Sequence, residues 1–467
     1  MQNRKSIRLV TAVFLVSLGV AANAWAQNQA PSDDSTAKSS GGDVFETTVE
    51  YVKYFYPLWF TYYQTLFGTP NLLVGPDKIS PIYHYVVAIN DDTLYVSSYL
   101  DLSVEPLVLT IPDTTARYSV LILDHYGDIV PSVIKAPATG TFVLYGPGFN
   151  GTLPAAPTPV PLPLNYMTLI FRVDKFKDGV DMTSEADKFR RSVSSQPLCL
   201  YQGQTCPQDT PSLGPAHIVP EAVFAFPFKT LADSLIATDP IFFLRMLQIA
   251  VQSPKTPPMS PEVQALSNNF NALFASGTSN RSEFARGAQA AHAAIVNRYL
   301  DHTGATNWIT YTNIGVWEPD EFVQRSSITQ FIQYANNHDA AAYYHAFKDG
   351  DGLSLNGTNP SGYVLTFPAD QIPAADRFWS LTAYTPEAIE LVPNTANKYL
   401  VASYTGPQPN KDGSISIYMA RQLPPGVNMA NWLPIPPGPF NVMLRVYGPL
   451  GSVKDNTYVP PGIAKVH

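Results

Sequence analysis

WSLTAY (Trp379–Tyr384), KDGSISIY (Lys411–Tyr418) and NWLPIPPGPFNVMLRVYGP (Asn431–Pro449) decide the fold of this chain. Apolar and polar residues alternate through Arg377–Tyr384, Ser414–Met419 and Phe440–Tyr447. A strand sends successive side chains to opposite faces, so each stretch reads as a half-polar strand. Asn410-Lys411-Asp412-Gly413 signals a hairpin turn, because Asp-Gly accepts the positive backbone angles of a tight primed turn. The proline-rich Asn431–Phe440 lacks the amide donors of a central strand. It reads as a stiff surface loop that lays Asn431 and Trp432 against the sheet.

Working outward, Tyr363–Phe367 and Lys398–Ser403 complete a late β region. An early one comprises Tyr83–Ile89, Thr93–Tyr99, Pro106–Ile111, Arg117–Leu123, Thr141–Tyr145 and Met167–Val173, separated by Gly, Pro, Asn and Asp. Pro154–Pro163 reads as an extended surface connection. Between the two regions the period changes. Asp239-Pro240 and Ser260-Pro261-Glu262 each pair a capping side chain with a first-turn proline, ahead of Ile241–Gln252 and Val263–Ala275, with Gly277 as a stop. Ser282–Tyr299 continues the helical pattern, and Val323–Phe347 is helical in part. A further helix is predicted over Val44–Phe67, kinked or divided at Pro57. The predicted class is mainly β with helices: two β-sandwich or jelly-roll-like domains joined by an α-helical linker. The boundaries are 43–218 for the first domain, 219–348 for the linker, 349–453 for the second and 454–467 for a loose tail.

Residues 1–26 stand apart. Arg4, Lys5 and Arg8 precede the apolar run Leu9–Ala22, and Ala24-Trp25-Ala26 is a cleavage pattern. This is the signature of a secretory signal peptide, too short in its apolar part to span a bilayer. The expected location is the periplasm or beyond, with no integral membrane segment after cleavage and a disordered leader over 27–42. In that oxidising compartment Cys199 and Cys206 are expected to form a disulfide. A net charge of −8 argues against nucleic acid and against an anionic membrane surface as partners. A small-molecule ligand is the partner these limits leave open, and a homo-oligomer is compatible with them.

AINDDTLY (Ala88–Tyr95), DLSVEPLVL (Asp101–Leu109), Arg117-Tyr118, Asp124 and GTFVLYGP (Gly140–Pro147) resemble the domain of unknown function numbered 1254. DGDGL (Asp349–Leu353), YVLTF (Tyr363–Phe367), FWSLTAY (Phe378–Tyr384), NWLP (Asn431–Pro434) and Arg445-Val446-Tyr447 resemble its usual partner, numbered 1214. The resemblance implies two β domains with a helical linker, commonly exported. Two departures stand out. Lys398-Tyr399 occupies a position where the family tends to Arg-Tyr, and Gln333–Asn337 has no glycine where the family carries a Gly-Leu-Gly-like stretch.

Three clusters are candidates for chemistry. Asp124-His125-Tyr126 places a carboxylate beside an imidazole, which suits a general base if the strand has ended there; the plain alternative is a turn. Asn90-Asp91-Asp92-Thr93 is a rigid turn or a pocket floor presenting Asn90, Asp92 and Tyr95, and Asp92 with Asp101 would be carboxylates for sugar hydrolysis. Trp379, Tyr384, Asn431, Trp432, Arg445 and Tyr447 suit an aromatic, sugar-like or carboxylate-bearing ligand; alternatively Arg445 ties the proline-rich loop to the sheet through carbonyls. No metal-ligand spacing or cofactor motif occurs. The expected function is a hydrolase for a small amide, ester or sugar-like substrate, with Asp92, Asp124 and His125 catalytic, in a cleft between the β domains. The alternatives are a non-catalytic ligand-binding protein and an envelope interaction protein.

Overall fold

A computed structural model of the chain describes residues 41–208, 210–211, 213–276 and 280–466; the expected signal peptide, most of the expected leader and the expected Gly277 stop lie outside them. The first helix, Gly41–Thr65, runs undivided through Pro57. Proline there removes the amide that would bond the Lys53 carbonyl. Ser326, on the helix Phe322–Ile332, supplies the missing donor from its hydroxyl at 2.6 Å. Around the first helix pack Pro240–Val251, Pro261–Ala275, Arg281–Leu300 and Phe322–Ile332. Gly287 permits the approach of Arg281–Leu300, since a Cβ there would meet Thr48 Cβ at 2.7 Å. The predicted caps are present: Asp239 accepts from the Phe242 amide at 3.2 Å and Ser260 from that of Val263 at 3.3 Å.

The chain also builds two β-sandwiches, one early and one late in sequence. In the first, a five-stranded sheet runs His217–Val219, Val74–Pro76, Thr93–Asp101, Tyr166–Asp174, Tyr118–Leu123. Its partner runs Ser194–Pro197, Leu107–Ile111, Gly140–Tyr145, Thr158–Pro161. Between them lies an apolar core that includes Leu94, Val96, Leu109, Leu144, Leu169 and Phe171. The second repeats the plan. Trp308–Ile309, Ala341–Ala346, Asn441–Pro449, Ala375–Tyr384 and Leu400–Ala402 face Trp432–Pro434, Ile415–Ala420, Tyr363–Phe367 and Ala464–Lys465. Leu365, Trp379, Leu381, Ile417 and Leu444 lie in its core. The architecture is therefore mainly β with helices, with a sandwich early and late in the chain. Among the described residues no helix is long and apolar enough to cross a membrane.

Four local expectations are corrected. Tyr83–Ile89 is a loop, not a strand, and Ala88 in it takes a φ of 51° that a strand cannot contain. The proline-rich connection includes an edge strand, Thr158–Pro161, paired parallel to Gly140–Tyr145, where missing amides face away from the ladder. The tail is docked rather than loose: Ile463 is buried in the second core and Val364 pairs with Ala464. Asp412-Gly413 turns the chain, with φ 81° at Gly413, but the strand that follows pairs with Tyr363–Phe367 and Trp432–Pro434, so no hairpin forms. The Cys199–Cys206 disulfide is present, with Cα atoms 5.2 Å apart.

Candidate functional site

Both five-stranded sheets are buried on two faces. In Tyr166–Asp174, Met167, Leu169, Phe171 and Val173 enter the sandwich core, which leaves Thr168, Ile170 and Arg172 on the other face. The register sets Tyr95 opposite Arg172 and Tyr99 opposite Thr168. In the second sandwich, Val442, Leu444 and Val446 point inward. Arg445 and Tyr447 therefore occupy the reverse face, with Tyr343 opposite Arg445. These reverse faces, the Tyr83–Asn90 loop and the Gln333–Ala335 segment line a cavity of about 80 Å³.

Two arginines define it. Arg445 is 3% exposed; its Nη2 donates to the Ala88 carbonyl, and its Nη1 has no hydrogen-bond partner. The Tyr384 ring lies 5.6 Å from the guanidinium, and the Tyr384 hydroxyl donates to the Ile89 carbonyl at 2.8 Å and that of Ala88 at 3.2 Å. Arg172 is 8% exposed and donates to Asn336 Oδ1 at 2.9 Å and to the Tyr334 carbonyl at 2.6 Å. The other buried arginines, Arg190 and Arg325, and the half-buried Arg377 each have a carboxylate within 4.0 Å: Asp187, Asp128 and Asp174 respectively. Among the described residues Arg172 and Arg445 have none, and no carboxylate or imidazole lines the cavity. Tyrosines supply most of its aromatic wall: Tyr83, Tyr85, Tyr95, Tyr99, Tyr334, Tyr343 and Tyr447.

Ala88 and Tyr334, whose carbonyls hold the two guanidiniums, share a second property. Both are non-glycine residues with positive φ, 51° and 63°. Such a backbone costs about 1–3 kcal/mol per residue and collects at ligand clamps. Tyr334 lies in the stretch where glycine is expected and absent, so a side chain occupies a conformation that glycine adopts freely. Its hydroxyl donates to Gln64 Oε1 at 2.6 Å.

Of the sequence-predicted residues, the fold gathers Asn90, Asp92, Tyr95, Tyr384 and Arg445. Tyr95 donates to Asn90 Oδ1 at 2.9 Å, and Asn90 Nδ2 donates to the Tyr447 hydroxyl. Asp92 sits behind this wall and accepts from Ser380 at 2.7 Å and Tyr404 at 2.6 Å. Burial raises its pKa, against the opposing hydrogen bonds of Tyr404 and Ser380 and the field of Arg445. Asp101 is at the far end of the same strand, about 30 Å away at ~3.3 Å per residue, so the two carboxylates cannot flank one sugar bond.

Other predicted residues are elsewhere. Trp379 packs in the second sandwich core beside Phe367. Asn431 ties Gln408 and Ser416 through side-chain bonds, and Trp432 Nε1 donates to the Ala420 carbonyl at 2.8 Å. These hold the proline-rich loop to its sheet and are not among the residues lining the cavity. Lys398 reaches the Met429 carbonyl in the same region, where burial pushes its pKa down to about 8. Asp124 closes a turn, accepting from the amides of Tyr126, Gly127 and Asp128 at 2.8, 2.9 and 2.9 Å. Burial and the Asp128 carboxylate push its pKa up to about 7. His125 lines a neighbouring cavity of about 20 Å³ with Arg325 and Trp317, and burial pushes its pKa down to about 4. No hydrogen bond joins Asp124 to His125 among the described residues. Sequence reasoning missed Arg172, although alternation in the predicted strand Met167–Val173 already sets it opposite the apolar set.

Known proteins agree with this division. A family model described as protein of unknown function (DUF1254) matches residues 71–197, which supply Asn90, Tyr95 and Arg172. One described as protein of unknown function (DUF1214) matches residues 340–451, which supply Tyr343, Arg445 and Tyr447. The VPA0106 protein from Vibrio parahaemolyticus is similar in fold, with a TM-score of 0.58 and 19% identity over 91% of this chain and 100% of that one. A putative uncharacterized protein from Burkholderia cenocepacia is more distant, with a TM-score of 0.40 and 15% identity over 91% and 94%. No curated protein matches. The chain belongs to the two-domain family that joins an N-terminal DUF1254 domain to a C-terminal DUF1214 domain.

Proposed function

We infer that this is an exported binding protein that holds a small organic molecule in the cavity between its two sandwiches. The observation that carries the reading is Arg445 Nη1, a buried donor on the cavity with no partner in the protein. A buried donor left without an acceptor costs about 1–3 kcal/mol, and a bound ligand would offset that cost. Supporting it, three separate parts of the chain meet at this point, and ligand sites favour such junctions. The hydrolase reading is weaker: the described lining offers hydroxyls and phenols but no carboxylate or imidazole, the usual bases that activate such a nucleophile. Export rests on the charged, apolar and small-residue segments of 1–26.

The test uses the mature chain in a thermal-shift panel of small acids, amides, phenols and sugars. Ligands raise the melting temperature of the natural protein but not of Ser97→Leu, which fills the cavity from the Thr93–Asp101 strand. Products appearing in those mixtures would restore the hydrolase reading. N-terminal sequencing of the exported protein is expected to begin at Gln27.

A further inference from the structure

The charge around the cavity selects the ligand. Arg172 and Arg445 bring two positive charges to its wall. The nearby acidic groups are mostly committed elsewhere. Asp174 is bonded to Arg377, at 2.7 Å from its Nε, and Asp91 is paired with Lys175. Besides the phenols of Tyr384 and Tyr447, Asp92 is the carboxylate that acts on Arg445 through space, and it is held by two hydroxyls rather than by the guanidinium. With Asp92 ionised, the junction keeps one uncompensated positive charge; with Asp92 protonated, it keeps two. Buried charge of that kind is paired in folded proteins or is reserved for a ligand.

The conformation of the two guanidiniums points the same way. Each is held by a carbonyl whose own residue is strained, Tyr334 for Arg172 and Ala88 for Arg445. Neutral carbonyls orient a guanidinium without cancelling its charge. An arginine kept for stability alone would be better served by a carboxylate, as Arg190 and Arg377 are. The walls are phenol rings, which suit a flat or small apolar body in a cavity of about 80 Å³.

On the reading of this cavity as a small-molecule site, we propose that its ligand is a small monocarboxylate. The carboxylate lies against Nη1 of Arg445, with Arg172 as the second positive charge of the same cavity and the body of the ligand among the tyrosines. A planar carboxylate matches the guanidinium donor fork, and a single negative charge matches the one positive charge left at the junction with Asp92 ionised. A phosphate monoester, mostly dianionic at neutral pH, overshoots it.

The experiment is calorimetric titration of the natural mature protein with matched probes: benzoate, 4-hydroxybenzoate, lactate and pyruvate against benzamide, 4-hydroxybenzamide, lactamide and benzyl alcohol. At least one carboxylate is expected to bind ten-fold or more tightly than its amide, with affinity falling as salt rises. Arg445→Met and Arg172→Met, checked for folding by melting curves, are each expected to weaken it ten-fold or more, and Arg445→Lys to recover part of the loss. If an amide or alcohol binds as tightly as its acid, the anion assignment falls while the small-molecule reading stands. If none of the probes binds, both fall.

Discussion

Arg172 donates from Nη2 to the Tyr334 carbonyl at 2.6 Å, and Tyr334 reaches that position only by adopting a left-handed backbone. Arg445 has the same relation to Ala88 on the other side of the junction. Two strained residues thus hold two arginines without carboxylate partners, from different sandwiches, at one cavity. Interactions that optimise stability would have paired those charges, so the arrangement is read as preorganisation for a ligand.

Arg445→Met is expected to leave the ligand-free protein within about 1 kcal/mol of the natural stability, because Arg445 hydrogen-bonds no carboxylate that its removal would strand. The Ala88 carbonyl keeps the Tyr384 hydroxyl as a donor. Arg377→Met is the contrast: it strands the fully buried Asp174 carboxylate and should cost about 3–5 kcal/mol. Denaturant unfolding of the two variants side by side checks the pair. A loss at Arg445 as large as that at Arg377 means that Arg445 serves the fold.

Ser326→Ala should destabilise by about 1–2 kcal/mol, since it removes the donor that serves the Lys53 carbonyl behind Pro57. Pro57→Ala restores a backbone amide at that place. The double variant is therefore expected to regain most of the loss in a double-mutant cycle.

Asp124 titrates at about 7 in the fold against 3.8 for an ordinary aspartate, through burial and then the Asp128 carboxylate. A raised folded pKa means that this group's contribution to stability is full below about pH 4 and is lost as pH rises through 7. Asp124→Asn keeps an acceptor for the three turn amides and cannot ionise. Unfolding free energies of variant and natural protein should lie close together at pH 4 and diverge by pH 8 in favour of the variant, by at least about 1 kcal/mol at 1.36 kcal/mol per pKa unit. Parallel profiles across that range contradict the assignment.

Much of the fold was legible because its signals are local. Alternation marked the Ala375–Tyr384 and Asn441–Pro449 strands, and Asp239 and Ser260 marked helix starts that the structure caps as expected. The tail misled because its composition is loop-like, while its docking depends on the distant Tyr363–Phe367 edge. The site was half legible. Asn90, Tyr95 and Arg445 carry polar chemistry on predicted strands and turns, whereas Trp379 and Trp432 carry the same aromatic signal for packing. Arg172 went unread because alternation gives the face of a strand but not what covers that face. The cover is the Gln333–Asn336 segment, well over a hundred residues away in sequence.

The most direct test is a crystal structure of the mature protein grown with the tightest-binding carboxylate of the titration. The account predicts density in the inter-sandwich cavity, with a carboxylate oxygen about 2.7–3.2 Å from Arg445 Nη1 and the Ala88 and Tyr334 carbonyls still holding their guanidiniums. A carboxylate bound only at the outer surface, with the cavity holding water, would contradict it.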